Sequence, residues 1–386
     1  LILASMVINF QLGKLIASYR HHSLVIAAVA LNLAALGYFK YTDFVINTLS
    51  SVFTLSIEPF NIVLPLAISF YTFQQIAYLV DCYHGLDKDY HFIDYVVFVT
   101  FFPQLIAGPI VHHREMMPQF VTLTRTIPWD NIAQGLAMLS IGLFKKVMIA
   151  DYFAEFANQG FSTSPALSLT QAWVASLSYS LQIYFDFSGY TDMAIGSALL
   201  FGIHLPQNFN SPYQASHIAD FWRRWHMTLS RFLKEYVYIA LGGNRKGALY
   251  TYRNLMLTFL LGGLWHGAAW TFVLWGIAHG VALIVHRLWQ TLQRPLPKIA
   301  AWLITLLFIH LTWIIFRSDS LATIGNFYGA MLGLQGSGWG DINYIQLGQL
   351  TFDWQQQQWI NLDLSLHGAP SVFPLLLMPA WIVVVY

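Results

Sequence analysis

The sequence predicts an all-α polytopic membrane protein, and three observations carry that reading. The chain has 386 residues, 56% hydrophobic and 16% aromatic, with only 10% charged. Soluble domains carry about 25% charged residues, so the deficit excludes a soluble enzyme. It also excludes a single anchor joined to a large soluble domain. Apolar runs of the length needed to cross a bilayer, about 20 residues, recur along the chain. The third observation is charge placement. Between Asp220 and Arg253 lie seven basic residues (Arg223, Arg224, Arg231, Lys234, Arg245, Lys246, Arg253) and two acids. Cytoplasmic loops are enriched in Lys and Arg, so this stretch is expected to face the cytoplasm. Its neighbours are membrane spans, which argues against a nucleic-acid partner.

The expected spans run near 1–18, 24–40, 60–80, 92–111, 132–150, 171–186, 189–204, 252–275, 270–290, 300–317 and 370–386. Several are interrupted. The stretch 60–80 holds Pro65 and Gln74-Gln75, and 92–111 holds Pro103, Gln104, Gly108 and Pro109. Broken backbone at membrane depth is tolerated where it is buried in protein or lines a cavity. Residues 205–245 have helical character but are too polar to span, so amphipathic or re-entrant helices are expected there. Residues 334–369 are polar, rich in Gln and Trp, and are expected to form an extracytoplasmic excursion. With no internal repeat and no linker, one membrane-embedded domain is expected over 1–386. The chain opens at Leu1 and closes at Tyr386 inside apolar runs, so truncation at both ends is expected. Cys82 is the single cysteine, and an intramolecular disulfide is impossible.

One histidine stands where few are tolerated. Residues 255–285 are almost purely apolar, and Gly262-Gly263-Leu264-Trp265-His266-Gly267 lies in their middle. An ionisable residue inside a span is costly and marks a partner or a task. Histidine is suited to proton transfer near neutral pH. Gly262 and Gly263 share its helical face and would let a backbone or a substrate approach closely. The plain alternative is a histidine hydrogen-bonded between helices.

Three further segments carry candidate chemistry. Asp220–Ser230 packs Trp222, Arg223, Arg224, Trp225 and His226 into five positions. An interfacial helix would explain its tryptophans and arginines but not His226, which can orient a second histidine or share its proton. Tyr184–Asp192 holds two carboxylates, Asp186 and Asp192. Their expected role is structural: capping a helix broken at Gly189, or pairing with an arginine. Leu241-Gly242-Gly243-Asn244-Arg245-Lys246-Gly247 is a glycine-rich basic turn able to meet phosphates. It lacks Walker A spacing and is equally a positive-inside loop. No metal is expected. His226 and His266 lack zinc-site spacing, and the adjacent pairs His21-His22 and His112-His113 point about 100° apart on a helix.

Taken together the motifs resemble the membrane-bound O-acyltransferase family, most closely its bacterial alginate O-acetylase branch. The segments that carry the resemblance are Leu64–Gln74, Phe102–Ile110, Tyr184–Gly196, Asn208–Tyr213, Phe221–Ser230, Leu241–Gly247 and Leu264–Trp270, in family order over about residues 60–290. The resemblance implies a ring of about ten to twelve transmembrane helices around a central tunnel. It implies His266 as the catalytic residue and His226 as the second important one. It also implies transfer of an acyl group, acetyl above all, from a cytoplasmic thioester to hydroxyls of an extracytoplasmic polysaccharide.

Acetyl-coenzyme A or an acylated carrier protein is the expected donor, with Arg223, Arg224, Asn244, Arg245 and Lys246 as candidate contacts to its phosphates. Expected partners are the lipid bilayer, the glycan acceptor and periplasmic or membrane-anchored acyl-relay proteins. The bacterial inner membrane is the expected location. Within the family, D-alanyl transfer and peptidoglycan O-acetylation are the alternatives. From another class, a transporter would also show broken helices and buried polar residues. It predicts paired interruptions in two halves of the chain, and Trp265-His266-Gly267 has no earlier counterpart.

Overall fold

The computed structural model describes residues 1–86, 90–105, 108–122, 129–163, 167–335, 348–353 and 358–363. Its body is helical, as the sequence predicts. Among the described residues five helical segments are long and apolar enough to cross a membrane: Ile2–Tyr19, His22–Phe53, Trp129–Ser162, Trp270–Thr291 and Lys298–Arg317. Their outward faces carry exposed Leu3, Leu31, Val52, Leu143, Val285 and Leu307. A surface this apolar needs a lipid solvent. The expected span at 370–386 lies outside the described residues. The described residues fall into two compact units, one within 1–148 and 185–308, the other within 149–184 and 309–363.

The first unit begins with α1 (Ile2–Tyr19), α2 (His22–Phe53) and α3 (Ile68–Tyr83). Polar side chains tie the three together in an apolar interior. Asn32 Nδ2 donates to Asn9 Oδ1 at 2.6 Å, and Asn9 Nδ2 returns a bond to Asn32 Oδ1 at 3.1 Å. Asn9 Nδ2 and Ser5 Oγ both donate to Gln75 Oε1, at 2.9 and 2.6 Å. Gln75, which reads as an interruption in the sequence, is thus the buried point where α1 and α2 are clamped to α3. The chain then breaks into α4 (Phe92–Thr100), α5 (Phe102–Leu105) and α6 (His113–Val121). Pro103 cannot continue α4. Gln104 Nε2 instead donates to the Phe98 carbonyl at 2.9 Å, satisfying a backbone group that the break releases.

Next come α7 (Trp129–Phe144), a π-helical segment over Lys145–Ala150, α8 (Asp151–Thr163) and α9 (Leu169–Leu200). The sequence suggested two spans over 171–204 with a break at Gly189; α9 runs through it unbroken. Gly189 serves close packing instead. Gly135 and Gly142 on α7 face Gly196 and Gly189 on α9, and a Cβ on Gly189 would lie 2.7 Å from the Gly142 carbonyl. The paired glycines sit two turns apart on each helix, a small-residue seam of the membrane type.

Residues 205–245 form short pieces, as expected: a 3₁₀ turn Pro212–Gln214, α10 (Ile218–Arg224), α11 (Met227–Phe232) and a π-helical segment Leu233–Tyr238. After them α12 (Ala248–His266) and α13 (Trp270–Thr291) form an antiparallel pair, followed by α14 (Lys298–Arg317) and α15 (Leu321–Met331). In α12 and α13, Gly263 abuts the Phe272 carbonyl and Gly276 abuts the Phe259 carbonyl.

The second unit centres on Leu167, Ala172, Ala175, Ile314, Phe327 and Met331. His310 lies buried there with Ser180 Oγ 2.9 Å from Nδ1, Ser176 Oγ 3.3 Å from Nε2, and Trp173 stacked on its ring. In the stretch expected to be an excursion, β1 (Gly348–Asp353) pairs antiparallel with β2 (Gln358–Asp363), Leu350 opposite Asn361.

The glycine seam is testable. Gly189→Val should destabilise the protein by about 1–3 kcal/mol through overpacking, seen as a lower thermal midpoint in detergent. Gly37→Ala, whose added Cβ meets nothing within 4 Å, should leave the midpoint unchanged or slightly raised.

Candidate active site

His266 is the last residue of α12, and Gly267 leaves the helix in extended conformation (φ −164°). A helix that ends away from water strands its last carbonyls. Two residues of α2 meet them. The Tyr41 hydroxyl donates to the Leu264 carbonyl at 2.6 Å, and the Lys40 ammonium donates to the Trp265 carbonyl. Lys40 also donates to Ser69 Oγ at 3.1 Å, and Trp265 Nε1 donates to the Ser69 carbonyl at 3.4 Å. The end of α12 is therefore pinned to α2 and α3, and half-buried His266 takes its position from that clamp.

The flanking glycines do not form an open space around the imidazole. A Cβ on Gly267 would collide with the Phe272 ring, and one on Gly262 would lie 3.1 Å from Leu233 Cδ1. Gly262 and Gly267 make room for packed side chains, and of the three Gly263 alone admits backbone, the Phe272 carbonyl.

His226 is buried at 1% exposure. It caps α11 in the left-handed region, φ 43° and ψ 53°, a strained setting for a side-chain-bearing residue. Buried Asn208 holds it there. Asn208 Oδ1 accepts from His226 Nδ1 at 3.0 Å, from the Thr228 backbone N–H at 3.2 Å and from the Thr228 hydroxyl at 2.9 Å. An amide oxygen only accepts, so Nδ1 carries the proton and Nε2 presents its lone pair. Thr228 Oγ1 in turn accepts the Ile110 N–H at 2.9 Å. Burial, with His266 nearby, holds His226 well below the ordinary histidine range.

The two sequence-predicted histidines meet at one indole. The Trp265 centroid lies 6.2 Å from that of His226 and 5.0 Å from that of His266. Phe73 stacks on Trp265 and on Phe232, at 5.4 and 4.2 Å. Trp222 and Trp225, readable as interfacial anchors, are in fact core residues, 8% and 4% exposed.

A third histidine escaped the sequence analysis. His279 on α13 is fully buried, its ring 4.5 Å from Trp275, which also packs on His266 at 5.2 Å. Trp222 Nε1 donates to His279 Nδ1 at 3.3 Å. The signal was present: His279 is also a histidine inside an apolar span beside a glycine, the criterion that singled out His266.

The basic candidates lie elsewhere on the unit. Arg223 is exposed, and Arg224 is paired with Asp220 at 3.0 Å. Asn244, Arg245 and Lys246 are exposed on a turn whose glycines 242, 243 and 247 all have positive φ. Asn254 anchors that turn through the Gly243 carbonyl at 2.8 Å. The two carboxylates are ion-paired, with lysines where an arginine was expected: Asp186 pairs with Lys146 at 2.7 Å and Asp192 with Lys145 at 2.6 Å.

A separate polar cluster lies at α3, α6 and the Leu233–Tyr238 segment. Tyr236 donates to Asp81 Oδ1 at 3.1 Å and lies 3.1 Å from His112 Nδ1. Arg231 makes a bidentate pair with Glu115, and Arg114 pairs with Glu235 at 2.9 Å. Burial first, and the Arg231 guanidinium second, push His112 down to about 4.

This arrangement occurs in a chain whose residues 83–322 match the membrane-bound O-acyltransferase family. The chain belongs to that family. It is 52% identical over 349 residues to the peptidoglycan O-acetyltransferase of Helicobacter pylori, covering 83% of this chain and 66% of that protein. It is 42% identical over 320 residues to the probable alginate O-acetylase AlgI of Pseudomonas aeruginosa, covering 80% and 60%. The teichoic acid D-alanyltransferase of Bacillus subtilis is 28% identical over 256 residues, covering 62% and 64%. The chain spans about two-thirds of the length of the curated relatives it matches.

The His112 environment predicts a pH dependence. With a folded value of about 4 against 6.5 unfolded, the unfolded chain binds more protons between those values. Stability from this group is therefore full above about pH 6.5 and is lost as pH falls towards 4. His112→Gln should flatten the thermal midpoint over that window relative to the unaltered protein. An unchanged slope would refute the assignment.

Proposed function

We propose that this protein is a membrane O-acyltransferase that passes an acyl group, acetyl above all, from a cytoplasmic thioester to hydroxyls of an extracytoplasmic glycan. The observation that carries the reading is that His226 and His266 both pack against Trp265. Acyl transfer needs a base for the hydroxyl proton and an acid for the leaving thiolate, and one imidazole serves both in turn. His266 is assigned that role. His226, with Nδ1–H spent on Asn208 and Nε2 bearing a lone pair, is assigned to orient the reacting groups or share the proton. The basic turn supports the donor side. Asn244, Arg245 and Lys246, with Arg223 and Arg224, suit the phosphates of coenzyme A or of a carrier-protein prosthetic arm.

The acceptor is assigned to cell-envelope glycans. Peptidoglycan is the first to test and alginate the second, following the 52% and 42% identities. D-alanyl transfer is the weaker branch, since that relative shares 28% identity. The bacterial inner membrane is the assigned location, with separate extracytoplasmic proteins completing the relay.

Base-labile ester on envelope glycans, measured in cells carrying the protein or its His266→Ala form, tests the reaction. The variant should lose at least about 100-fold of the transfer rate while keeping its thermal midpoint. Retained transfer would remove His266 from the chemistry. Arg245→Gln with Lys246→Gln should raise the donor KM severalfold and leave kcat near its original value. An unchanged KM would clear the turn of donor binding.

A further inference from the structure

Among the described residues, His279 is a hydrogen-bond donor with nothing to donate to. Its side chain is fully buried, and the indole N–H of Trp222 occupies Nδ1 at 3.3 Å. An indole nitrogen only donates, so Nδ1 accepts and the proton of the neutral ring sits on Nε2. Among the described residues Nε2 has no hydrogen-bond partner. Its ring neighbours, Trp222, Trp275, Phe259 and Phe308, are aromatic. A buried N–H without an acceptor is destabilising, and in such a dry setting a bond from it to a charged oxygen is strong. Trp275 packs against both imidazoles, His279 at 4.5 Å and His266 edge-on at 5.2 Å.

We propose that His279 Nε2–H binds the carbonyl oxygen of the acyl thioester and stabilises the oxyanion formed there. The proposal rests on the acyltransfer reading above. The acceptor hydroxyl oxygen bonds to the thioester carbon while His266 takes its proton. The C=O π pair moves to oxygen, where the His279 N–H meets it. On collapse the pair returns, the C–S bond breaks, and the thiolate takes the proton from His266. His279 keeps its proton throughout, so it is not a second base. Trp222 is the positioning residue, because its N–H holds the tautomer that places the donor on Nε2.

The test uses the full chain in proteoliposomes, with acetyl-coenzyme A as the probe donor and acetyl release as the readout. His279→Leu should lower kcat by about 10²–10³-fold with donor KM within about twofold. His279→Gln, whose amide can donate, should recover at least tenfold over the Leu variant. Trp222→Phe should lower kcat partially and leave donor KM unchanged. Wild-type kcat in His279→Leu, with His266→Ala inactive, overturns this inference alone. An active His266→Ala overturns the underlying reaction instead. If His279→Leu does not fold, the Gln variant decides: at least a tenth of wild-type kcat supports the donor role, and a thousandfold loss at an unchanged thermal midpoint rejects it.

Discussion

The site depends on α12 being able to stop in the protein interior. A helix terminus there leaves carbonyls that no water can satisfy, and here Tyr41 and Lys40 of α2 supply the missing donors. Lys40 in an apolar helix is itself costly. Its ammonium answers the negative end of the α12 dipole, so two unfavourable features cancel at one point. His266 is the residue immediately beyond that point. Its place is set less by the glycines around it than by a lysine and a tyrosine far earlier in the chain.

Around this terminus the interior is aromatic. Trp265 lies among His226, His266, Phe70 and Phe73. Trp275 lies among His266, His279 and Trp222. Large rings with two torsions each lose little entropy on ordering and hold close neighbours in defined orientations. Some of the polar groups embedded in this packing are held individually. Asn208 alone gathers three donors onto one oxygen and fixes both His226 and the Thr228 turn.

Much of this was legible in the sequence. Composition gives the membrane-embedded helical fold, and the histidine cost rule finds His266. Local crowding of Trp, Arg and His finds His226. The failures have physical reasons. Gly189 looked like a helix break because glycine permits one, yet on α9 it permits contact with Gly142. Periodicity within one helix does not report the helix it faces. Trp222 and Trp225 looked interfacial because Trp is enriched at headgroups, whereas here their burial comes from tertiary partners far along the chain. Asp186 and Asp192 read as partners for an arginine, but their lysine partners lie on the segment after α7, beyond any local pattern. Lys40 and Tyr41 carry no local signal at all, and Asn208 enters only as part of a family-like segment. Their roles exist only once α2, α12 and the 205–230 region are brought together.

The histidines show why residue type alone does not assign chemistry. His226 and His279 are both buried and both bonded through Nδ1. The partner of His226 is an amide oxygen, so its Nδ1 must donate and Nε2 is left as a base. The partner of His279 is an indole N–H, so its Nδ1 must accept and Nε2 is left as a donor. The same imidazole is thereby given opposite faces by its second neighbour. An acyl transfer needs both faces, a lone pair to receive a proton and an N–H to meet an oxyanion. In the proposed reaction His266 receives the proton and the His279 N–H meets the oxyanion, without any residue changing its net charge before the reaction begins. Neutrality matters here, because a buried imidazolium would be costly in this apolar interior. The choice of Asn208 and Trp222 as silent partners is therefore as much a part of the site as the histidines they hold.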